Sequence, residues 1–392
     1  LTQRYLFYPF ILLISILAVA CSEGKSGPKK EQKVIISFPK GKIDTASAEF
    51  IGWKEKIAAH YSHLHQSANF NGCVLVARQG VVIYKGCFGV KDVSTQSPLE
   101  VNDLFQIASV SKTFTAMAVL HLWDQGKISL DSKLKDYFPD ISYQEVTIHD
   151  LLSHRSGLPN YLNTTEKEWE SYDGLKSNAD LLQYLIKRNP QIQALPGKKF
   201  AYNNTNYALL ALIIEKVSGK PYGQYMRDEI FLPIGMNNTF VFSATDSMLS
   251  GKHITTGYLR KNQPDRLFPV DGIAGDKNIY STVEDLLIWE RATTHPGLFS
   301  KKVLEAAVIP RSHEMPGMRN YGYGWRLMER QGEGNLIYHN GWWHGYTAAF
   351  YKNPADETVI IVLSNIYNRN TYRVQPVWDI LYGKNGDMGF DN

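Results

Sequence analysis

The chain has 392 residues, 44% of them hydrophobic and 20% charged, a composition that excludes a wholly disordered or fibrous protein. Its length exceeds the roughly 100–200 residues of a typical single core, so one large domain or two intimate subdomains are expected. A formal charge of +4 is nearly neutral for this length, and no stretch gathers Lys and Arg into a nucleic-acid stripe. The nearest, from Lys25 to Lys33, lies in a Gly/Ser/Pro-rich segment, and three cysteines cannot make a disulfide framework or a Cys-rich zinc site.

The N-terminus reads as an address. Tyr5 to Ala20 is an almost unbroken apolar run behind Arg4, with Pro9 inside. Its sixteen residues fall short of the about 20 that a spanning helix needs and fit a secretory signal over residues 1–20. Ala18-Val19-Ala20-Cys21, followed by a polar tether, resembles a bacterial lipoprotein signal in which Cys21 is lipidated. Residues 21–47 then form a linker, residues 48–384 the main domain and residues 385–392 a tail. The expected location is the bacterial cell envelope, exported and held to the membrane by lipid.

Phe50, Trp53, Ile57, Tyr61 and Leu64 have the spacing of an amphipathic helix. Residues 73–77 and 81–84 flank Arg78-Gln79-Gly80 as a hairpin. A disulfide between Cys73 and Cys87 depends on the register of that hairpin, which the sequence leaves open. An apolar helix is expected over 109–126, with Gly126 just past its end. Thr147 and Asp150 make a capping-box pattern for a helix over 148–154. Further helices are expected over 206–217, 283–293 and 374–382, and a hairpin over 346–352 and 358–364. The fold class is therefore α/β (α+β): an antiparallel sheet flanked by helices, with an inserted, mostly helical subdomain. The sheet part comprises about 48–108 and 275–384, the helical part about 109–274, and the cleft between them is the default site.

No His-Glu-x-x-His, GxGxxG, Walker loop or G-x-S-x-G elbow is present, so the chain offers no motif for a metal or a cofactor. His63 and His65 fall on a solvated helix face. What remains is Ser109-Val110-Ser111-Lys112 ahead of a strongly apolar helix. Residues i and i+3 of a helix share a face, and a lysine amine held in a dry cleft can take a serine proton. Ser-x-x-Lys also begins at Ser22, Ser26, Ser37 and Ser132, so context alone singles out Ser109. Tyr202-Asn203-Asn204 puts a phenol and an amide on a short polar loop, able to move a proton and to hold a substrate carbonyl. His339-Asn340-Gly341 stands ahead of a strand, where Gly341 would admit substrate backbone and the Trp342 N–H would join that of Ser109 in an oxyanion hole.

In that order, the three motifs resemble the layout of the serine β-lactamase and penicillin-binding-protein superfamily, and in particular its class C β-lactamase-related branch. FQIASVSKTFTA, HDLLSHRSGLP, PGKKFAYNNTNYALL, YSTVEDL and YGYGW carry the likeness, over about residues 50–384. The resemblance implies a β-lactamase/transpeptidase-like fold and an acyl-enzyme hydrolase of esters or amides. Ser109 would be the nucleophile, Lys112 and Tyr202 would exchange its proton, and Asn204 would orient Lys112 and the substrate. His154 and Ser156 would support the fold around a helix end. The family's Lys-Thr-Gly is here His339-Asn340-Gly341. A histidine is charged only below about pH 6.5, which predicts weak binding of anionic substrates and slow β-lactam turnover. The implied partner is a small-molecule or peptide substrate, acted on by a monomer, with specificity set by cleft loops 160–176 and 315–320. The competing reading is a catalytically silent protein of the same fold that binds cell-wall peptides.

Overall fold

Strands from both ends of the chain meet in one antiparallel sheet. The computed structural model describes residues 43–383 apart from 171, 244–252, 261–262, 313, 315–318 and 330–335. Cys21, the signal, most of the linker and residues 315–318 of the second cleft loop lie outside the described residues. The sheet contains β1 (Gly72–Arg78), β2 (Val81–Phe88), β3 (Arg319–Tyr321), β4 (Arg326–Met328), β5 (Leu336–Trp343), β6 (Tyr346–Asn353) and β7 (Thr358–Ser364), ordered β3-β4-β5-β6-β7-β1-β2. From 111 to 239 the described elements are all helices.

Both faces of the sheet are covered, which is why its central strands read as unbroken apolar runs. In β7, Val359, Ile361 and Leu363 face one core, while Ile360 and Val362 face the other. The first core is built with α2 (Ser111–Asp124), α3 (Asn204–Ser218) and α4 (Val283–Ala292). Phe114 of α2 stacks on Trp289 of α4 at 3.9 Å between ring centroids. The second core lies under α1 (Ala48–Ala68) and α5 (Gln375–Tyr382), through Phe50, Ile57, Tyr61 and Trp378. The antiparallel sheet and the covering helices are those expected from sequence.

The β1–β2 turn places Gln79 and Gly80 at positive φ (51° and 76°), the arrangement of a tight two-residue hairpin. Counting outward from it would set Gly86 opposite Cys73. A bulge between Val76 and Ala77 shifts the pairing by one residue and puts Cys87 there instead. The two cysteines are bridged, with Cα atoms 4.1 Å apart. Closing the 14-residue separation restricts the unfolded chain by about 3 kcal/mol. One bulge thus decides a pairing that the sequence left open.

Four placements near the cleft differ from expectation. Ser109 stands in a 3-10 turn, Ala108–Val110, and the α-helix proper begins at Ser111. α3 starts at Asn204, because the Asn203 side chain accepts the Thr205 N–H and caps it two residues early. The helix capped by Thr147 and Asp150 stops at Leu152, and His154 has φ +56°. The His339-Asn340-Gly341 motif is inside β5, not ahead of a strand.

Candidate active site

The chain enters the site along Phe105–Gln106, a short strand paired with Ile279–Ser281. Ala108 then takes φ +47°, a conformation that costs a residue with a Cβ about 1–3 kcal/mol. This kink presents Ser109 at the head of α2, with Lys112 one turn further on. Lys112 has no exposed surface. Its Nζ donates to Ser109 Oγ at 3.0 Å and to the Asp276 carbonyl at 2.7 Å. The Tyr202 ring lies 5.0 Å from the same Nζ. Ser109, Tyr202, Asn204 and Trp342 line one cavity of about 510 Å³. Among the described residues Asn204 is not bonded to Lys112, whose second acceptor is the Asp276 carbonyl, so the expected steering of Lys112 falls to Asp276.

β5 closes the opposite wall. A Cβ at Gly341 would lie 2.3 Å from Ile107 O and 3.1 Å from Ser109 N. Glycine is thus required for the strand to reach the Ser109 turn, a stronger demand than the expected admission of substrate backbone. Behind this contact run two histidines. His154 Nδ1 accepts the Asn203 N–H at 3.1 Å, so its proton sits on Nε2, facing Tyr321 Oη at 3.2 Å. His339 Nδ1 faces the Asn340 carbonyl at 2.7 Å, so its Nε2 accepts from Tyr321 at 3.3 Å. Burial first, then Lys112 and Arg326, hold both histidines well below the ordinary value. Both are neutral at pH 7. His154 also packs its ring 4.4 Å from Tyr202, and Ser156 Oγ donates to Asn206 of α3 at 2.6 Å. His339 is fully enclosed, and Asn340 and Trp342 face the cleft in its place.

Two cations lie in the cleft that the sequence reading did not single out. Arg326 of β4 lies over the Tyr202 ring at 5.0 Å and lines the cavity. Burial opposes its charge, but Tyr202, Tyr338, Tyr321 and Tyr351 raise its pKa above the usual value. It also lines an adjoining cavity of about 260 Å³ with Arg319, Tyr338, Asn340 and Tyr351. Lys277 is fully buried and donates to Tyr161 Oη at 2.7 Å and to Ile273 O at 3.1 Å. Tyr161 in turn donates to Asp276 Oδ2 at 2.9 Å. Burial pulls Lys277 below the ordinary lysine value, against the opposing pull of Asp276 and Asp271. The available signal for Arg326 was a charge in an otherwise apolar strand directly after the YGYGW run.

Sequence and structure comparisons give the family and agree with the fold. The Beta-lactamase family model matches residues 57–381, and the chain belongs to that family. It is 32% identical over 343 residues to "Penicillin-binding protein 4*" of Bacillus subtilis (strain 168), covering 84% of this chain and 76% of that protein. It is 25% identical to "Protein flp" of Staphylococcus aureus (strain MW2), over 80% of this chain but only 63% of the relative. The penicillin binding protein from Bacillus halodurans superposes with a TM-score of 0.73 at 25% identity, covering 82% of this chain and 99% of that one. The octameric penicillin-binding protein homologue from Pyrococcus abyssi gives 0.72 at 28% identity, over 84% and 77%.

Proposed function

We propose that the chain is an exported serine hydrolase that cleaves esters or amides through an acyl-enzyme, in a catalytic domain over residues 48–384. The observation that carries this reading is the 3.0 Å bond from Lys112 Nζ to Ser109 Oγ inside a cavity that also holds Tyr202. Membership of a family of serine hydrolases supports it. Ser109 Oγ attacks the substrate carbonyl and gives its proton to the Lys112–Tyr202 pair. The Ser109 and Trp342 N–H groups hold the oxyanion. When the intermediate collapses, Tyr202 protonates the leaving group, and water then releases the acyl group by the reverse sequence. The leaving group therefore departs on the Tyr202 side, beside Arg326. That permanent cation suits a carboxylate on the leaving group, which replaces the expectation of weak anion binding drawn from His339. The test is direct: the wild-type protein should take up one fluorophosphonate adduct per chain and hydrolyse p-nitrophenyl butyrate. Neither adduct nor turnover would leave a silent binding protein.

The same proposal includes a lipid on Cys21. The Cys73–Cys87 bridge suits an oxidising compartment outside the cytosol, and among the described residues no helix is long and apolar enough to cross a membrane. A diacylated cysteine supplies the two chains that stable anchoring needs. Cys21→Ser should then move the protein from the membrane fraction to the soluble one. Unchanged membrane association of that variant would refute lipidation.

A further inference from the structure

The cleft has two ends, set by β5. Arg326 is in register with Tyr338, whereas Lys277 Nζ lies 4.8 Å from the ring of Trp343. Trp343 is five steps along the strand from Tyr338, about 17 Å at 3.4 Å per residue. Gly341, and the Ser109 turn packed on it, lie between. If the leaving group departs toward Tyr202 and Arg326, the acyl part of the substrate extends toward Trp343 and Lys277. The walls there are Leu162, Leu259 and the two tryptophans 342 and 343, which suit an aliphatic or aromatic chain.

Lys277 is unexpected in such a place. An ammonium withdrawn from water costs several kcal/mol unless it is paired and hydrogen-bonded, and the fold itself could be satisfied by an apolar residue. Two of its three N–H bonds go to Tyr161 Oη and Ile273 O. The third makes no short hydrogen bond: Asp276 Oδ1, 3.7 Å away, pairs with the ammonium as an ion, and the Trp343 ring lies 4.8 Å from Nζ. The charged groups around it are Lys112, Asp276 and Asp271. Asp276 Oδ2 is taken by Tyr161, and Asp271 Oδ1 by Trp343 Nε1 at 2.6 Å and His344 Nε2 at 3.0 Å. Asp276 also lines the cavity, but its Oδ1 has no hydrogen-bond partner and almost no accessible surface, and its nearest cation is Lys277. What this end of the cleft offers a ligand is the remaining N–H of Lys277, the one not given to Tyr161 or Ile273.

We propose that Lys277 anchors a negatively charged group on the acyl part of the substrate, so that the preferred acyl donor carries a carboxylate at the far end of a short apolar chain. The inference rests on the acyl-enzyme reading above and adds the substrate class to it. A donor of this kind would span Ser109 with anionic groups at both ends, one on Lys277 and one on Arg326.

The test uses p-nitrophenyl half-esters of adipate and suberate, against the neutral hexanoate and octanoate and the cationic 6-(trimethylammonio)hexanoate. In the wild type kcat/KM should favour the half-esters at least tenfold over the matched neutral esters, with the cationic ester slowest. Lys277→Met should bring the anionic-to-neutral ratio to about one. Arg326→Gln should keep that ratio and instead lose the preference for 3-carboxyphenyl hexanoate over phenyl hexanoate. A wild-type ratio of one or less, or a preference for the cationic ester, overturns the proposal without any variant, which matters if Lys277→Met does not fold. Loss of the half-ester preference in Arg326→Gln alone also overturns it, by moving the anchor to the other end. In each of these cases ester turnover persists, so the hydrolase reading survives. Absence of turnover on every ester, with no fluorophosphonate adduct, removes both.

Discussion

Ser109→Ala should abolish fluorophosphonate labelling and lower ester turnover by several orders of magnitude, toward the million-fold losses seen when a serine nucleophile is removed. The substitution deletes one oxygen and little else. Ser109 Oγ is bonded to Lys112, and Lys112 keeps its second acceptor, the Asp276 carbonyl, so the cleft should hold its shape. No neighbouring hydroxyl can take over. Ser111 is fully buried, and its Oγ accepts the Ile279 N–H at 3.2 Å, which ties it to the short strand behind the site. Thr113 Oγ1 donates to the Val110 carbonyl at 2.8 Å and accepts from the Trp289 indole at 3.1 Å. Intact-protein mass after labelling, with steady-state rates on p-nitrophenyl butyrate, decides the matter. An adduct that survives in the variant, at Ser111 or elsewhere, would sink the assignment of the nucleophile.

How much of this was legible before any coordinates depends on whether a residue acts through its local pattern or through a distant neighbour. The apolar helix after Ser109, the capping box at Thr147 and Asp150 and the Gln79-Gly80 turn are local, and all are present. The contact between Ser109 and Lys112 is equally local, three residues apart, and the sequence places it correctly. Arg326 and Lys277 are different. Arg326 acquires its role only because β4 pairs with β5 and brings it over Tyr202, more than a hundred residues away in the chain. Lys277 depends on Tyr161 and Trp343 converging on it from two other segments. His339 shows the opposite error. Its place in the motif suggested a side chain in the cleft, but His339 is fully enclosed beside Tyr321, while Asn340 and Trp342 line the cavity. The disulfide failed to be legible for a similar reason, since a single bulged residue changes which partner faces Cys73.

Gly341→Ala should be the most damaging single methyl in the site. Its Cβ would meet the Ile107 carbonyl at 2.3 Å, a backbone atom that no rotamer change can move aside. Nor can β5 retreat. Gly341 is paired with Ala348 of β6 on one side, and its carbonyl accepts from Tyr372 Oη at 2.9 Å. The strain must therefore open the gap between β5 and the Ser109 turn, each of which carries one of the two N–H groups proposed to hold the oxyanion. Misplacing one such donor costs about 10²–10³-fold in kcat, and forcing a methyl into a packed contact costs about 1–3 kcal/mol of stability. KM should change less than kcat, because the interaction lost is one made in the transition state. Gly52→Ala provides the contrast: no atom lies within 4 Å of its Cβ on α1, so it should leave kcat unchanged and raise stability by about 0.5–1 kcal/mol. Measured together with thermal unfolding, a Gly341→Ala protein with wild-type kcat would show that β5 supplies no oxyanion donor, whatever its loss of stability.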